Sequence, residues 1–251
     1  MQDRLRVLLL NWRDSGHPEG GGAESFCERV ASGLAGLGHD VTIRCARYPG
    51  SAADEVIDGV GYVRRGGRFT VYPRAALALA RHRRAYDVVL DVQNGMPFWT
   101  PLFTRAVVVN VTHHLHREQW NAVFGPVLGR IGWWLESRLA PRVYRRCRYL
   151  TVSEASRADL VAVGVDADRI GVVYNGLDAP VLPADSAGWP RSPQLERGVS
   201  KMVISTSLGV MPSSSLILRN SRRKRYFFTV SERPSNIEIS MIVYLSERPS
   251  G

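Results

Sequence analysis

Leu5-Arg6-Val7-Leu8-Leu9-Leu10-Asn11, then Gly16-His17-Pro18-Glu19-Gly20-Gly21-Gly22-Ala23-Glu24, is the stretch that decides the fold. Its first part is a short apolar run bounded by polar residues, as a buried strand requires. Downstream, apolar residues recur at Phe26, Val30, Leu34 and Leu37, a helical spacing that Gly38 is placed to end. His39–Ala46 reads as a second strand through Val41-Thr42-Ile43. Strand, glycine-rich turn, helix and strand in this order imply a right-handed crossover between parallel strands. The turn leaves bare backbone N–H groups at a helix N-terminus, whose partial positive charge suits a phosphate or another anion.

The alternation continues outward from this unit. Gly61–Arg64 is a weak strand and Arg74–Ala85 an Ala- and Leu-rich helix. Asp87–Val92 and Ala106–Val111 are continuous apolar runs, expected where both faces of a sheet are covered. Phe124–Arg148 reads as a long helical segment that Pro141 interrupts or kinks. Tyr149–Val152 (strand), Glu154–Val163 (helix) and Ile170–Tyr174 (strand) follow. The predicted class is therefore α/β, a doubly wound, mostly parallel Rossmann-like sheet over residues 1–178.

Beyond that point the composition changes. Pro180, Pro183 and Pro190 punctuate a predicted linker, 179–200, and 201–251 reads as an irregular tail. No Ala follows Ala187 and no Asp follows Asp185, serine dominates, and Ser-Glu-Arg-Pro-Ser occurs at 231–235 and again at 246–250. Two copies are too few for a repeat architecture. Within the tail, Met202–Ile204, Tyr226–Val230 and Ile237–Leu245 are β-prone.

The formal charge of +10 raises the question of nucleic acid or anionic lipid. It is shared between the two parts of the chain, and no nucleic-acid-binding motif accompanies it, so no nucleic-acid partner is expected. Cys27, Cys45 and Cys147 are odd in number and without C-x-x-C spacing, which argues against a disulfide framework or zinc site. No apolar run approaches a membrane span or a signal peptide, so the expected location is cytoplasmic, extending to the inner face of a membrane.

Four motifs carry the chemistry. The glycine loop departs from G-x-G-x-x-G at Ser25 and from a Walker A loop, since no Gly-Lys-Ser/Thr follows. It is either a flexible turn or a backbone surface kept bare for close approach. Second, Thr112-His113-His114-Leu115-His116 follows a strand and places imidazoles at the edge where open α/β sheets bind ligands. His113, ahead of His114, is the candidate for contact with a hydroxyl or phosphate; no metal site is expected. Third, Ser153 and Ser156 open a helix, where simple capping competes with a role at the same edge. Fourth, residues 130–149 interleave six arginines with Trp133, Trp134, Tyr144 and Tyr149 against the lone Glu136. That pattern suits a membrane surface and equally an aromatic core face with a solvated basic one.

Taken in order, these residues resemble glycosyltransferase family four. The matching pieces are Gly20-Gly21-Gly22-Ala23-Glu24, the block from His113 to Trp120, Thr151-Val152-Ser153-Glu154-Ala155-Ser156, and Asp168-Arg169-Ile170 leading to Tyr174-Asn175-Gly176. The resemblance implies the N-terminal, acceptor-side half of a retaining enzyme of GT-B architecture. It implies Gly20, Gly21, Gly22 and Glu24 at the donor diphosphate, His113 and His114 at the reaction centre, and His17, Asn94, Ser153 and Asn175 along the acceptor side of the cleft. The donor would be a nucleotide-diphosphate sugar and the acceptor a glycan or lipid-linked molecule of cell-envelope glycan biosynthesis. No cofactor is implied, and residues 130–149 would be a peripheral membrane contact.

The family's donor-side glutamates, separated by seven residues, have no counterpart among Glu232, Glu238 and Glu247. The tail is therefore expected not to be family sequence, as after a shifted reading frame or a truncation. One rival is a non-catalytic acceptor- or lipid-binding module completed by a partner chain. Another is an NAD(P)-binding oxidoreductase, against which the missing third glycine argues.

Overall fold

The computed structural model describes residues 4–174 and, as backbone, the four strands within 201–245. The chain divides into two compact units, Met1–Val172 and Val173–Gly251. The first carries eight strands, β1 (Arg6–Leu10), β2 (Asp40–Cys45), β3 (Asp54–Ile57), β4 (Val60–Arg64), β5 (Val88–Gln93), β6 (Val107–Thr112), β7 (Arg148–Thr151) and β8 (Ile170–Val172). They form one sheet in the order β3-β4-β2-β1-β5-β6-β7-β8. Every pairing is parallel except the β3–β4 hairpin. The predicted doubly wound α/β class is the observed one.

Helices α1 (Gly22–Gly36), α2 (Val71–Arg81), α3 (Arg117–Trp134), α4 (Ala140–Val143) and α5 (Glu154–Ala162) make the crossovers. Because adjacent strand residues point to opposite faces, continuous burial of Val7-Leu8-Leu9-Leu10 requires cover on both sides. One face is a core of Leu8, Leu10, Val89, Val108 and Tyr149 against Val71, Ala75 and Leu79 of α2 and Leu160 of α5. Cys27, Ala31 and Leu34 are the buried stripe of α1. Gly38 ends that helix turn with φ +89°, a left-handed conformation suited to glycine.

Three local features differ from expectation. β3 is exposed along its whole length, so no buried face imprints an alternation on its sequence; the Asp58-Gly59 turn, with both φ positive, is its only local signal. The helix after β6 begins at Arg117 rather than Phe124, and its break lies at Gly125 (φ 73°), ahead of Pro126. Before Pro141, which lacks an N–H, the helical ladder widens into a π turn over Leu135–Leu139 instead of stopping.

The second unit holds β9 (Lys201–Ile204), β10 (Ser215–Asn220), β11 (Lys224–Arg233) and β12 (Asn236–Leu245) in a sheet ordered β10-β11-β12-β9. Each of the three β-prone segments read from the sequence falls within a strand; β10 has no counterpart in that reading. The predicted linker, 179–200, lies outside the described residues.

Candidate functional site

The sheet reverses its winding between β1 and β5. From β1 the chain steps outward to β2 and β4, and from β5 it steps the other way to β6, β7 and β8. The carboxyl ends of the strands on either side of such a switch point open a ligand crevice. Asn11 follows β1 and Asn94 follows β5, and the Asn94 amide donates to Asn11 Oδ1 across the switch at 3.0 Å.

The loop from β1 to α1 is pinned from below. Asp14 is buried and accepts from Arg64 Nε at 2.5 Å, while Arg64 also reaches Glu55 at 2.6 Å and lies over the Tyr62 ring. Ser15 donates through both its amide and its hydroxyl to Glu28, at 2.9 and 2.6 Å. His17 stands edge-on between Trp12 and Tyr48 and accepts the Glu19 amide at Nδ1. It is thus built into the loop.

The three glycines are not equivalent. A Cβ at Gly20 would lie 2.7 Å from the carbonyl of Ser15 and 3.0 Å from those of Asp14 and His17, so packing of the loop itself demands glycine there. A Cβ at Gly22 would meet nothing within 4 Å. Glu24 is buried, and its carboxylate accepts the Gly21 amide at 2.8 Å and Arg13 Nε at 3.0 Å. This capping arrangement consumes one N–H of the helix end. The amides of Gly22, Ala23 and Glu24 precede the first main-chain bond of the helix, from Ser25 N to Gly21 O at 3.1 Å.

His113 follows β6, two strands from β1. Its side chain is buried, its ring stands edge-on to Phe26 of α1 at 5.2 Å, and neither ring nitrogen has a hydrogen-bond partner. Its carbonyl accepts the Ser156 hydroxyl at 2.6 Å, tying β6 to α5. Burial, with the neighbouring His114 adding to it, pushes the imidazole down to about 4. At neutral pH the ring is therefore uncharged, with one N–H to give and one lone pair to accept. Buried polar atoms left unpaired in this way call for an explanation, and a ligand hydroxyl would supply a partner to one of the two nitrogens.

Residues 20–180 match the family model described as Glycosyltransferase Family 4. The chain belongs to glycosyltransferase family 4. No curated protein sequence matches it. Among solved structures, Alr3699/HepE of Anabaena, in complex with UDP and glucose, is similar at 16% identity and a TM-score of 0.43, over 70% of this chain. The match spans 45% of that protein's own length.

In this family 4 domain Gly20–Gly22, Asn94, His113 and Ser153 all lie at the carboxyl edge of the sheet. Ser153 caps α5, its hydroxyl accepting the Ser156 amide at 3.1 Å, as the capping reading of the sequence expects. His114 is exposed, stacks on His116 with ring centres 4.3 Å apart, and is held below its usual value by partial burial and by His116. Asn175 lies outside the described residues.

The sequence reading named Glu136 and Trp120 but gave neither a role at the site. Glu136 is buried and accepts from the His116 amide and the Trp120 indole, at 3.1 and 2.7 Å, and pairs with His116 Nδ1 at 3.1 Å. Trp120 in turn fills the space that Cβ atoms at Gly95 and Gly132 would take. One carboxylate thus fixes the segment that follows His113. Its signal in the sequence is a single Glu in an arginine-rich stretch, four residues after Gly132.

Proposed function

We propose that the first unit is the acceptor-side half of a retaining glycosyltransferase of GT-B architecture that uses a nucleotide-diphosphate sugar. The observation that carries this is the pairing of an open helix end at Gly22 with an uncharged, unpartnered imidazole at His113 on one sheet edge. In this reading Gly21 and Gly22 face the donor diphosphate, and Glu24 serves it indirectly by holding Gly21 and Arg13 in place. Backbone dipoles aimed at the departing diphosphate stabilise the charge that grows as the bond from the sugar to its phosphate breaks. His113 hydrogen-bonds a sugar hydroxyl near the reacting carbon, with His114 beside it. His17, Asn94, Ser153 and Asn175 belong to the acceptor side, His17 and Ser153 through the loop and the cap they hold.

The acceptor in this reading is a glycan or a lipid-linked molecule, with peripheral membrane contact around residues 130–149 at the inner face of a membrane. The donor-gripping glutamate pair of the family is not found in residues 179–251, so the reading assigns the opposite wall of the cleft to sequence outside that segment. The test is a screen of nucleotide-diphosphate sugars for transfer, with the chain alone and with a family 4 donor domain supplied. Donor-dependent transfer with a retained anomer, lost in His113→Ala, is the expected result with the donor domain present. Absence of transfer under both conditions, with acceptor binding retained, would instead establish the non-catalytic module, which the lack of a glutamate pair favours.

A further inference from the structure

The second half of α3 is inside out. Its buried positions are Gly129 and Gly132, which sit so close to Asn121 and Trp120 that a Cβ would fall 2.3 and 2.2 Å from their side chains. Its large apolar side chains point the other way. Val127, Leu128, Ile131 and Trp134 are between 51% and 68% exposed, and Val123, on the preceding turns, is also exposed. Spacings of four and three residues put Val127, Ile131 and Trp134 on one line of the helix. Phe124, whose ring centre lies 6.4 Å from that of the exposed Phe69, extends the surface toward the loop after β4. A contiguous patch of this kind on a soluble protein marks an interaction site.

The charges around the patch identify the partner. Between Gln119 and Arg146 the only carboxylate is Glu136, which is buried and already accepts from His116 and Trp120. Arg130, Arg138, Arg142, Arg145 and Arg146 are all exposed. None of the five has an ion-pair partner among the described residues. Arg130 flanks the apolar line and Arg138 continues it one turn on. Of the aromatic residues that the sequence reading offered for 130–149, Tyr144 and Tyr149 are buried in the core, Trp133 is half-buried beneath the Arg117 guanidinium, and Trp134 is the exposed ring.

From this we infer that the outer face of α3 docks on an anionic bilayer, with Val127, Leu128, Ile131 and Trp134 entering the headgroup boundary and Arg130 and Arg138 resting on lipid phosphates. Exposed apolar side chains rimmed by unneutralised arginines suit that surface and no purely aqueous one. The inference deepens the membrane contact of the functional reading and moves it from 130–149 to 123–138. It would place Phe69 and the loop after β4 near the lipid.

The test is co-sedimentation of the full chain with vesicles of phosphatidylcholine alone and of phosphatidylcholine enriched in phosphatidylglycerol. Binding to the anionic vesicles is expected to exceed binding to neutral ones and to weaken with salt. Ile131→Glu with Trp134→Glu should cut anionic-vesicle binding by about tenfold or more, since two charges would enter an apolar boundary. Arg130→Gln with Arg138→Gln should abolish the preference for anionic vesicles. All four positions are exposed, so circular dichroism should match the parent, and Val127→Gln serves as a milder variant. Unchanged binding in the Ile131/Trp134 variant, or a dimer that this variant splits in sedimentation equilibrium without vesicle binding by the parent, would overturn the inference. Vesicle binding needs no donor, so its failure is separate from failure of sugar transfer.

Discussion

Arg64 at the end of β4 and Asp14 in the β1–α1 loop form a buried ion pair, Nε to Oδ2 at 2.5 Å. It joins a strand at one side of the sheet to the loop that carries the three glycines. Asp14 accepts there with one oxygen, and its other oxygen is buried without a partner. Removing Arg64 would leave that carboxylate uncompensated.

Arg64→Met is therefore expected to destabilise the first unit by about 3–5 kcal/mol, the usual cost of stranding one member of a buried pair. Urea denaturation followed by circular dichroism measures it. A loss below about 1 kcal/mol, the value of an exposed pair, would show that the loop does not depend on this contact.

The glycine loop separates packing from function. Gly20→Ala should lower stability, because its Cβ meets three main-chain carbonyls, which cannot swing aside as a side chain does. Gly22→Ala should leave stability within about 0.5 kcal/mol, since the methyl enters open space at a helix start, where Ala is at least as favourable as Gly. If Gly22 faces the donor diphosphate, the same methyl obstructs it, and transfer should fall at least about tenfold. Thermal melts and donor kinetics on the two variants decide the matter; full activity in Gly22→Ala would remove the loop from the donor site.

His113 makes stability depend on pH. Its imidazole titrates near 4 in the folded chain and near its ordinary 6.5 when unfolded. Between these values the unfolded state binds more protons, so stability is complete above pH 6.5 and is lost as pH falls toward 4. The contribution is on the order of 3 kcal/mol from a shift of this size. His39 and His114 shift in the same direction, so the comparison that isolates His113 is with His113→Phe. That variant should lose less stability than the parent between pH 6.5 and 4.5. Parallel curves for the two proteins would contradict the buried, neutral imidazole.

The parts of this molecule legible from sequence are those with a period or a spacing. The buried strands announce themselves because burial on both faces leaves nothing but apolar residues at Val7–Leu10 and Val107–Val109. The glycine loop and the histidines are legible because their place at strand ends follows from the alternation. β3 was not, because a wholly exposed strand has no pattern to show. The roles of Glu136 and Asp91 were not either, since a buried carboxylate is defined by partners distant in sequence. Residues 130–149 stayed open between a membrane surface and an aromatic core face for the same reason. Tyr144 and Trp134 look alike in sequence, and only the folded chain buries one and exposes the other.

Asp91 supplies the last prediction. It is fully buried in β5, and burial raises it above the usual carboxylate value despite four compensating hydrogen bonds. Its oxygens accept the Tyr144 hydroxyl, the Thr100 hydroxyl at 2.7 Å, the Phe98 amide at 3.0 Å and the Thr100 amide at 3.3 Å. These bonds hold the turn in which Trp99 takes a left-handed conformation at φ 58°. A non-glycine residue there needs its surroundings to enforce the geometry. Tyr144→Phe removes a donor to a buried carboxyl group and should cost about 1.5–3 kcal/mol where Asp91 is ionised, the range for hydrogen bonds to charged groups. Because Tyr144 favours the ionised form of Asp91, the variant raises that group further. The difference between parent and variant should therefore be largest where Asp91 is ionised and should narrow as acid protonates it. Denaturant titrations of both proteins over a wide pH range measure this difference. A gap that stays constant with pH would mean that the Tyr144 hydroxyl does not act on the Asp91 charge.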